Sequence, residues 1–492
     1  MEYFLKQLCT NFKVFSNNIA FCIDEKSYTY TELEARVATI QHYLETLGEE
    51  QYVAVVARNS IETFAVIFAL WLSGKTSVPI SPKTPTERNE HIIDQTGIKT
   101  VFDSGENPLS FNNTRTIDPK KLAVATGDAY LTDVSADTDL YMLFTSGSTG
   151  KPKGVRISRA NLDAYLNAFF NCGYTIDSSD RCIEVFELTF DASVQCYTFP
   201  LMKGASVHTL PDDGIRFLSI MKILQKQDIT FAKLTPSVIF YLQKYFDKIR
   251  LPKLRYCLFG AEAFPAELVK QWEKCVPNAE IHNVYGPTEA TINCTFYRWN
   301  RESENKTRNG IASIGRAYQN MLAIVCDEKG NMIAPGTKGE LCVAGPQITK
   351  GYWKNKENNE RAFFEKELNG SKHRFYRTGD LVICDNDSDL MYIGRLDSQV
   401  QIDGHRVELS EIEHHARIFT GVKCIALATE KEGIVHSITL YAEKKEGNPE
   451  DLSAHLRKKL PPYMIPHKII FVANIPLLSS GKTDRQKLLS LG

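Results

Sequence analysis

Ten residues, Thr145-Ser-Gly-Ser-Thr-Gly-Lys-Pro-Lys-Gly154, hold three glycines, four hydroxyl side chains and two lysines between the apolar runs Tyr141–Phe144 and Val155–Ile157. A strand must enter this segment and another must leave it. Glycines let the backbone approach an anion closely, hydroxyls and amides donate to phosphate oxygens, and lysines add charge. An ordinary polar turn needs only one or two glycines. Nor is this a Walker loop, which wants four residues between its first glycine and the Gly-Lys pair and then a helix. Here two residues separate Gly147 from Gly150, and Pro152 follows Lys151. The segment reads as a phosphate cradle of another kind, with Thr145, Ser146, Gly147, Ser148, Thr149, Gly150 and Lys151 as its candidate contacts.

A chain of 492 residues exceeds what one core usually supports, so at least two domains are expected. A formal charge of -1 gives no reason to expect nucleic acid or an anionic membrane as partner. The twelve cysteines show no C-x-x-C spacing, which suits a reducing compartment and argues against zinc. The start Met-Glu-Tyr-Phe-Leu-Lys lacks the order of a signal peptide. The apolar run Phe64–Leu72 is about half of the ~20 residues a membrane span requires. A cytosolic, cytoplasmic location without a membrane span is expected.

Hydroxyl residues open 27–45, and Leu and Ala follow at helical spacing, so a capped helix is predicted there. Strands are expected at Tyr52–Val56, Lys99–Phe102, Ser206–Leu210, Arg255–Phe259 and Glu280–Val284. Helices are expected at Asn161–Phe170, Arg216–Gln225, Pro236–Phe246 and Pro265–Cys275. Such alternation marks parallel sheets covered by helices. From about 310, glycine turns separate short strands, as in an antiparallel region. Residues 397–492 read as a small α+β domain after a large domain spanning 1–396.

Further segments carry chemistry. Tyr285-Gly-Pro-Thr-Glu289 follows a strand, and strand ends are where open α/β sheets bind ligands. Tyr285 suits a base, Thr288 a phosphate and Glu289 Mg²⁺. Asp380, in Tyr376-Arg-Thr-Gly-Asp380, could accept from two ribose hydroxyls. Arg395 offers a guanidinium for ribose or phosphate, Asp397 follows it, and a late loop presents Lys482. Together these form a kit for moving a nucleotidyl group by positioning and charge neutralisation.

Seven segments in order, Thr145–Val155, Phe190–Ser193, Tyr285–Glu289, Gly339–Trp353, Tyr376–Asp380, Gly394–Glu408 and Ser480–Lys482, resemble the motifs of the adenylate-forming enzymes: acyl-CoA ligases, luciferases and the adenylation domains of nonribosomal peptide synthesis. The resemblance implies an α/β fold: a large N-terminal domain of α/β subdomains with a β-rich subdomain, then a small mobile α+β C-terminal domain. It implies that a carboxylate attacks the α-phosphorus of ATP with Mg²⁺ present. Lys482 bridges the reactants, and the small domain then turns about Asp397 to admit a thiol. Asn283 matches the residue that recognises the adenine amino group, and Gly260 and Gly286 fall among the nucleotide contacts.

Phe190-Asp191 is the discriminating pair. Amino-acid-activating members carry an Asp there for the substrate ammonium, while fatty-acid and aryl members generally do not. Asp is also a common helix N-cap, the competing use. Carried over by motif spacing, the remaining pocket lining is Ala192, Gln195, Lys233, Cys257, Phe259, Val284, Ile292 and Asn293, with Phe259 reshaping the pocket. A lysine there is costly without an anion, so an α-amino acid with a polar or acidic side chain, such as Glu, Gln or Asp, is expected. The glycine turn after Asp397 usually reads Gln-Val-Lys-Ile-Arg-Gly in the family; here Gln401 and Asp403 replace the two cations. No carrier segment follows Lys482, so a free-standing enzyme acting on a separate phosphopantetheine carrier protein is expected. The alternatives are a D-alanine–carrier ligase, an acyl-CoA ligase, and a silent nucleotide-binding partner, against which Lys482, Glu289 and Asp380 all argue.

Overall fold

A computed structural model describes residues 4–146, 152–444, 446–477 and 483–491. Two largely parallel sheets dominate it. The nine-stranded sheet runs in the order Arg316–Ala317, Thr295–Arg298, Glu280–Tyr285, Tyr256–Phe259, Phe231–Leu234, Arg181–Glu184, Ser206–Thr209, Ile19–Ile23, Lys26–Thr29. Its six middle strands are parallel, and antiparallel partners close each edge. The six-stranded sheet runs Arg115–Ile117, Thr100–Phe102, Tyr52–Val56, Thr76–Ile80, Asp139–Thr145, Lys153–Ser158. Its last pair is the antiparallel hairpin that carries the glycine-rich segment, which therefore runs from strand to strand as its flanks require.

One hydrophobic cluster joins both sheets. At its centre lies the 12-residue helix Ile61–Leu72, capped by Ser60 and buried at every position but Glu62. Phe64 of this helix meets Phe21 of the larger sheet (4.4 Å between rings), and Trp71 stacks on Tyr141 of the smaller one at 5.9 Å. At 1.5 Å per residue the helix is about 18 Å long, too short to cross a bilayer core. Among the described residues no helix is long and apolar enough to span a membrane.

Local signals in the helix expected within 27–45 agree with its structure. Tyr30–Leu44 is a helix whose N-cap Thr29 accepts from the Glu32 amide while Glu32 reaches back to Thr29, the reciprocal box that satisfies two orphan donors. Pro236–Phe246 is shorter than expected as an α-helix. It ends at Leu242 and continues as a 3-10 turn over Gln243–Lys248.

A five-stranded antiparallel sheet follows, ending at Leu390–Arg395. Next come a hairpin, Gln399–Ile402 with His405–Glu408, and a three-stranded sheet of Cys424–Lys431, Ile434–Glu443 and Lys468–Val472. The hydrophobic cluster of this last region draws every member from Val400 onward, so it packs around its own core.

Gly315 pins the antiparallel region to the larger sheet. Its φ is +73°, and a Cβ there would lie 1.8 Å from the Phe296 carbonyl oxygen. Gly315→Ala should therefore cost more than about 3 kcal/mol, because backbone rather than a flexible side chain is in the way. Urea unfolding with a midpoint equal to that of the unsubstituted chain would contradict this.

Candidate functional site

Parallel strands end at a common edge, and one cavity opens there, lined by Phe190, Asp191, Asn283, Tyr285, Gly286, Thr288, Asp380 and Arg395 among others. Strand Glu280–Tyr285 delivers Asn283 and Tyr285, the turn after it delivers Thr288 and Glu289, and the antiparallel sheet brings Asp380 and Arg395. Asn283 donates to the Ser313 carbonyl at 2.9 Å. The Tyr285 hydroxyl donates to Asp380 Oδ2 at 2.5 Å, and Arg395 Nη1 donates to Asp380 Oδ1 at 2.8 Å. Arg395 also forks onto both Asp397 oxygens at 2.8 Å. Burial would raise the Asp397 carboxyl, but the guanidinium holds it below the usual range. Both glycines are sterically required: a Cβ at Gly260 would meet the Val284 carbonyl at 2.9 Å, and at Gly286 the Asn293 Cα at 2.5 Å.

Asp191 is the first residue of helix Asp191–Met202 and does not cap it; its N-cap, Phe190, makes no side-chain bond to the helix. Burial pushes the Asp191 carboxyl up to about 6, with Lys233 and the Thr288 hydroxyl pulling the other way. Its Oδ2 has no hydrogen-bond partner. Gln195, one turn along the same helix face, accepts from Lys233 Nζ at 2.7 Å. Asn293 lies 3.0 Å from Gln195 Oε1 and 3.2 Å from the Tyr165 hydroxyl. Lys233 is only 2% exposed, and no carboxylate lies in ion-pair contact with it among the described residues. Burial therefore lowers its ammonium.

Ala192, Val284 and Ile292 are buried around this polar floor. Cys257 and Phe259 are not part of it. Along Tyr256–Phe259 alternate side chains face opposite ways, and Lys233 pairs in register with Leu258. Cys257 and Phe259 point into the cluster on the sheet's far face, with Trp272 and Phe264, so Phe259 does not shape the pocket. On the near side, a Cβ at Gly260 would lie 3.7 Å from the Lys233 Cε. Motif spacing identified the strand but placed the lining one residue out of phase.

Thr291 and Ile292 have φ of +55° and +73°, a costly region for β-branched residues. Gln347 holds this turn: its Nε2 donates to the Asn293 carbonyl at 2.7 Å and the Ala290 carbonyl at 3.1 Å. The strained turn thus aims Asn293 inward. Nothing in the sequence around Gln347 signals that role.

The hairpin Gln399–Glu408 closes the cavity. Its Arg406 Nη1 reaches Glu289 Oε2 at 3.3 Å, and the Arg406 carbonyl accepts from the Ser146 hydroxyl at 3.1 Å. The Gly404 amide donates to Glu262 at 2.6 Å. His405 stacks on Tyr463 at 4.1 Å between rings and meets Phe190 edge-on. Tyr352 donates its hydroxyl to Glu289 Oε1 at 2.6 Å. Burial would raise Glu289, but Arg406, Tyr352 and Lys153 together hold it below the usual carboxylate range. Thr145 stays within its hairpin, its hydroxyl 3.5 Å from the Lys153 carbonyl. Gly147, Ser148, Thr149, Gly150, Lys151 and Lys482 lie outside the described residues.

The sequence pattern of the AMP-binding enzymes matches residues 10–353, and that of their C-terminal domain matches 421–482. The chain belongs to the AMP-binding enzyme family. It is 30% identical to zwittermicin A synthase ZmaJ of Bacillus cereus, over 97% of this chain and 92% of that one. It is equally 30% identical to the D-alanine–D-alanyl carrier protein ligase of Lactiplantibacillus plantarum, over 96% of each. Of some other curated relatives it spans only a small part, 13% of one and 9% of another. Its fold matches the Vibrio cholerae adenylation domain AlmE, solved with glycyl-adenosine-5'-phosphate, at a TM-score of 0.87 and 24% identity over 99% of this chain and 98% of that one.

Membership of the AMP-binding enzyme family implies ATP use. Mg²⁺ commonly needs only one or two protein carboxylates beside nucleotide phosphates. Glu289 fits as a single ligand. Among the described residues no cluster of three metal-ligating side chains exists. Here, however, the Arg406 guanidinium takes the charge of Glu289, so a metal there requires the hairpin to withdraw. The sequence reading gave Glu289 to the metal and missed Arg406 and Tyr352, which answer it from distant segments, and Glu262, which receives the hairpin's turn amide. Arg406→Ala should leave Glu289 buried without its nearest cation and loosen the hairpin. Amide hydrogen exchange over 400–407 should rise at least about tenfold, and unchanged exchange there would count against a docking role.

Proposed function

We propose that this chain activates an α-amino acid bearing a polar or acidic side chain as its aminoacyl adenylate, and passes it to the phosphopantetheine thiol of a separate carrier protein. The observation that carries the amino-acid reading is Asp191: a carboxyl at the cavity wall, with Oδ2 unpartnered and with Thr288 beside it. Such a group needs a cation, and a substrate ammonium supplies one. An acyl-CoA ligase substrate has no ammonium to offer.

Lys233 carries the side-chain class. A buried ammonium held by two amides rather than a carboxylate favours an incoming anion or strong acceptor. Glu, Gln and Asp answer that need. D-alanine would leave this polar floor unused, although the resemblance to a D-alanyl carrier protein ligase keeps that substrate in the assay.

In this reading the Tyr285 ring packs on the adenine and the Asn283 amide recognises its edge. Asp380 and Arg395 take the ribose, and residues 145–151 cradle phosphates. The substrate carboxylate oxygen attacks the α-phosphorus in line, and pyrophosphate leaves. Lys482 neutralises charge on both reacting groups. Mg²⁺, held by Glu289 and the nucleotide, would supply further charge neutralisation. Residues 397–492 act as a lid turning at Asp397. With the hairpin docked, as here, Arg406 sits on Glu289; with the hairpin withdrawn, Glu289 is open and Lys482 takes its turn.

ATP–pyrophosphate exchange across the proteinogenic amino acids and D-alanine tests this. Exchange is expected with Glu, Gln or Asp, and a preference for a bulky apolar residue would refute the polar pocket. Asp191→Asn should cut exchange by at least about a hundredfold, as loss of a buried ammonium partner implies. Lys482→Ala should abolish adenylate formation while leaving the unfolding midpoint unchanged.

Asp191 also sets a pH dependence. Its pKa is raised by burial, so the carboxylate that binds ammonium is present above about 6 and is lost as pH falls through that value. KM for the amino acid should rise about tenfold per unit below pH 6. A flat KM between pH 7 and 5 would remove Asp191 from ammonium recognition.

A further inference from the structure

Glu184 ends the strand Arg181–Glu184 and is 4% exposed. Its Oε1 accepts from the Phe186 amide at 2.5 Å, and its Oε2 has no hydrogen-bond partner. In the parallel pairing Ile183 sits beside Ala232, so Glu184 is the neighbour of Lys233 on the same face of the sheet. Yet the lysine reaches Gln195 instead. Glu184 also borders a second crevice, which Arg216 and Thr209 line, giving it a route for protons to solvent.

We propose that Glu184 is the internal counter-charge of Lys233 and a specificity-determining, positioning residue: ionised, it neutralises the lysine and lets the pocket hold a neutral side chain; protonated, it leaves the lysine to an anionic one. This rests on the pocket reading above. The charges balance in both cases. An acidic substrate pairs with the Lys233 ammonium while Glu184 keeps its proton. With an amide substrate, the Glu184 proton passes to solvent through the crevice and the carboxylate faces the ammonium. The groups around Glu184 are Lys233 on the adjacent strand, Cys196 and Tyr197 on helix Asp191–Met202, and Arg216 on helix Arg216–Lys226. Burial pushes the Glu184 carboxyl well up, while Arg216, Cys196 and Lys233 oppose that rise. Ionisation is therefore shifted upward from the ordinary carboxylate range.

The test is the ratio of kcat/KM for L-glutamate to that for L-glutamine in pyrophosphate exchange, across pH 6–8. A ratio within one variant cancels any loss of folded enzyme. In the unsubstituted chain it should fall as pH rises, because ionised Glu184 competes with the substrate carboxylate for Lys233. Glu184→Gln should raise the ratio at pH 8 about tenfold and flatten its fall, whereas Glu184→Asp should keep the fall. Lys233→Met removes the group through which Glu184 acts, so the ratio should drop and lose its pH dependence. A Glu184→Gln enzyme with the original ratio and profile, or a Lys233→Met enzyme whose ratio still varies with pH, would overturn the role of Glu184 alone. Exchange with apolar amino acids only, before any substitution, would overturn the pocket reading and this inference with it.

Discussion

Most charges at this site are held largely away from water, and most are answered by a group from another part of the chain. Asp380 on the antiparallel sheet meets Tyr285 from the parallel sheet and Arg395 from the strand beside it. Glu289 is matched by Tyr352 and by Arg406 from the hairpin. A buried ion without its partner costs several kcal/mol, so these pairings tie the site's assembly to the docking of separate substructures. Asp191 and Lys233 are the exceptions, each without an opposite charge in contact among the described residues, and under the proposed function an acidic amino acid would bring one for each.

The hairpin completes that arrangement. It sets Arg406 against Glu289, and its turn amide rests on Glu262. The turn itself explains one departure from the family pattern. Asp403 and Gly404 have φ of +49° and +80°, and Asp-Gly is a favoured pair for a two-residue turn with both residues in that region. Gln401 pairs with Arg406 across the hairpin. A cation at position 401 would lie opposite that guanidinium, so the neutral amide relieves a like-charge contact.

Much of this was legible beforehand. The strand entering and leaving the glycine segment, the capping of Tyr30–Leu44, and the alternation that produces parallel sheets are local signals, written in composition and period. Asn283, Tyr285, Thr288 and Arg395 converge on one cavity because each lies at or just beyond the end of a strand, whereas Asp380 sits inside the strand Ser371–Cys384, next to Gly379 at a φ of +71°. Cys257 and Phe259 failed because a strand's two faces differ by a single residue, and motif spacing does not tell which face looks inward. Lys233 is the reverse case: its strand register places the ammonium on the inner face, where it reaches Gln195.

The sequence by itself determined the chemistry available: a loop rich in glycine, hydroxyls and lysine, a carboxylate beside a helix start, an aromatic and an acid just past one strand, and a lysine in a late loop. These follow from residue types within a few positions of one another. Only the tertiary structure decided which groups neutralise which, placing Arg406 on Glu289 across 117 positions and Glu184 beside Lys233 on adjacent strands. Such pairings depend on sheet order and on where a hairpin docks, and no local run of residues encodes either.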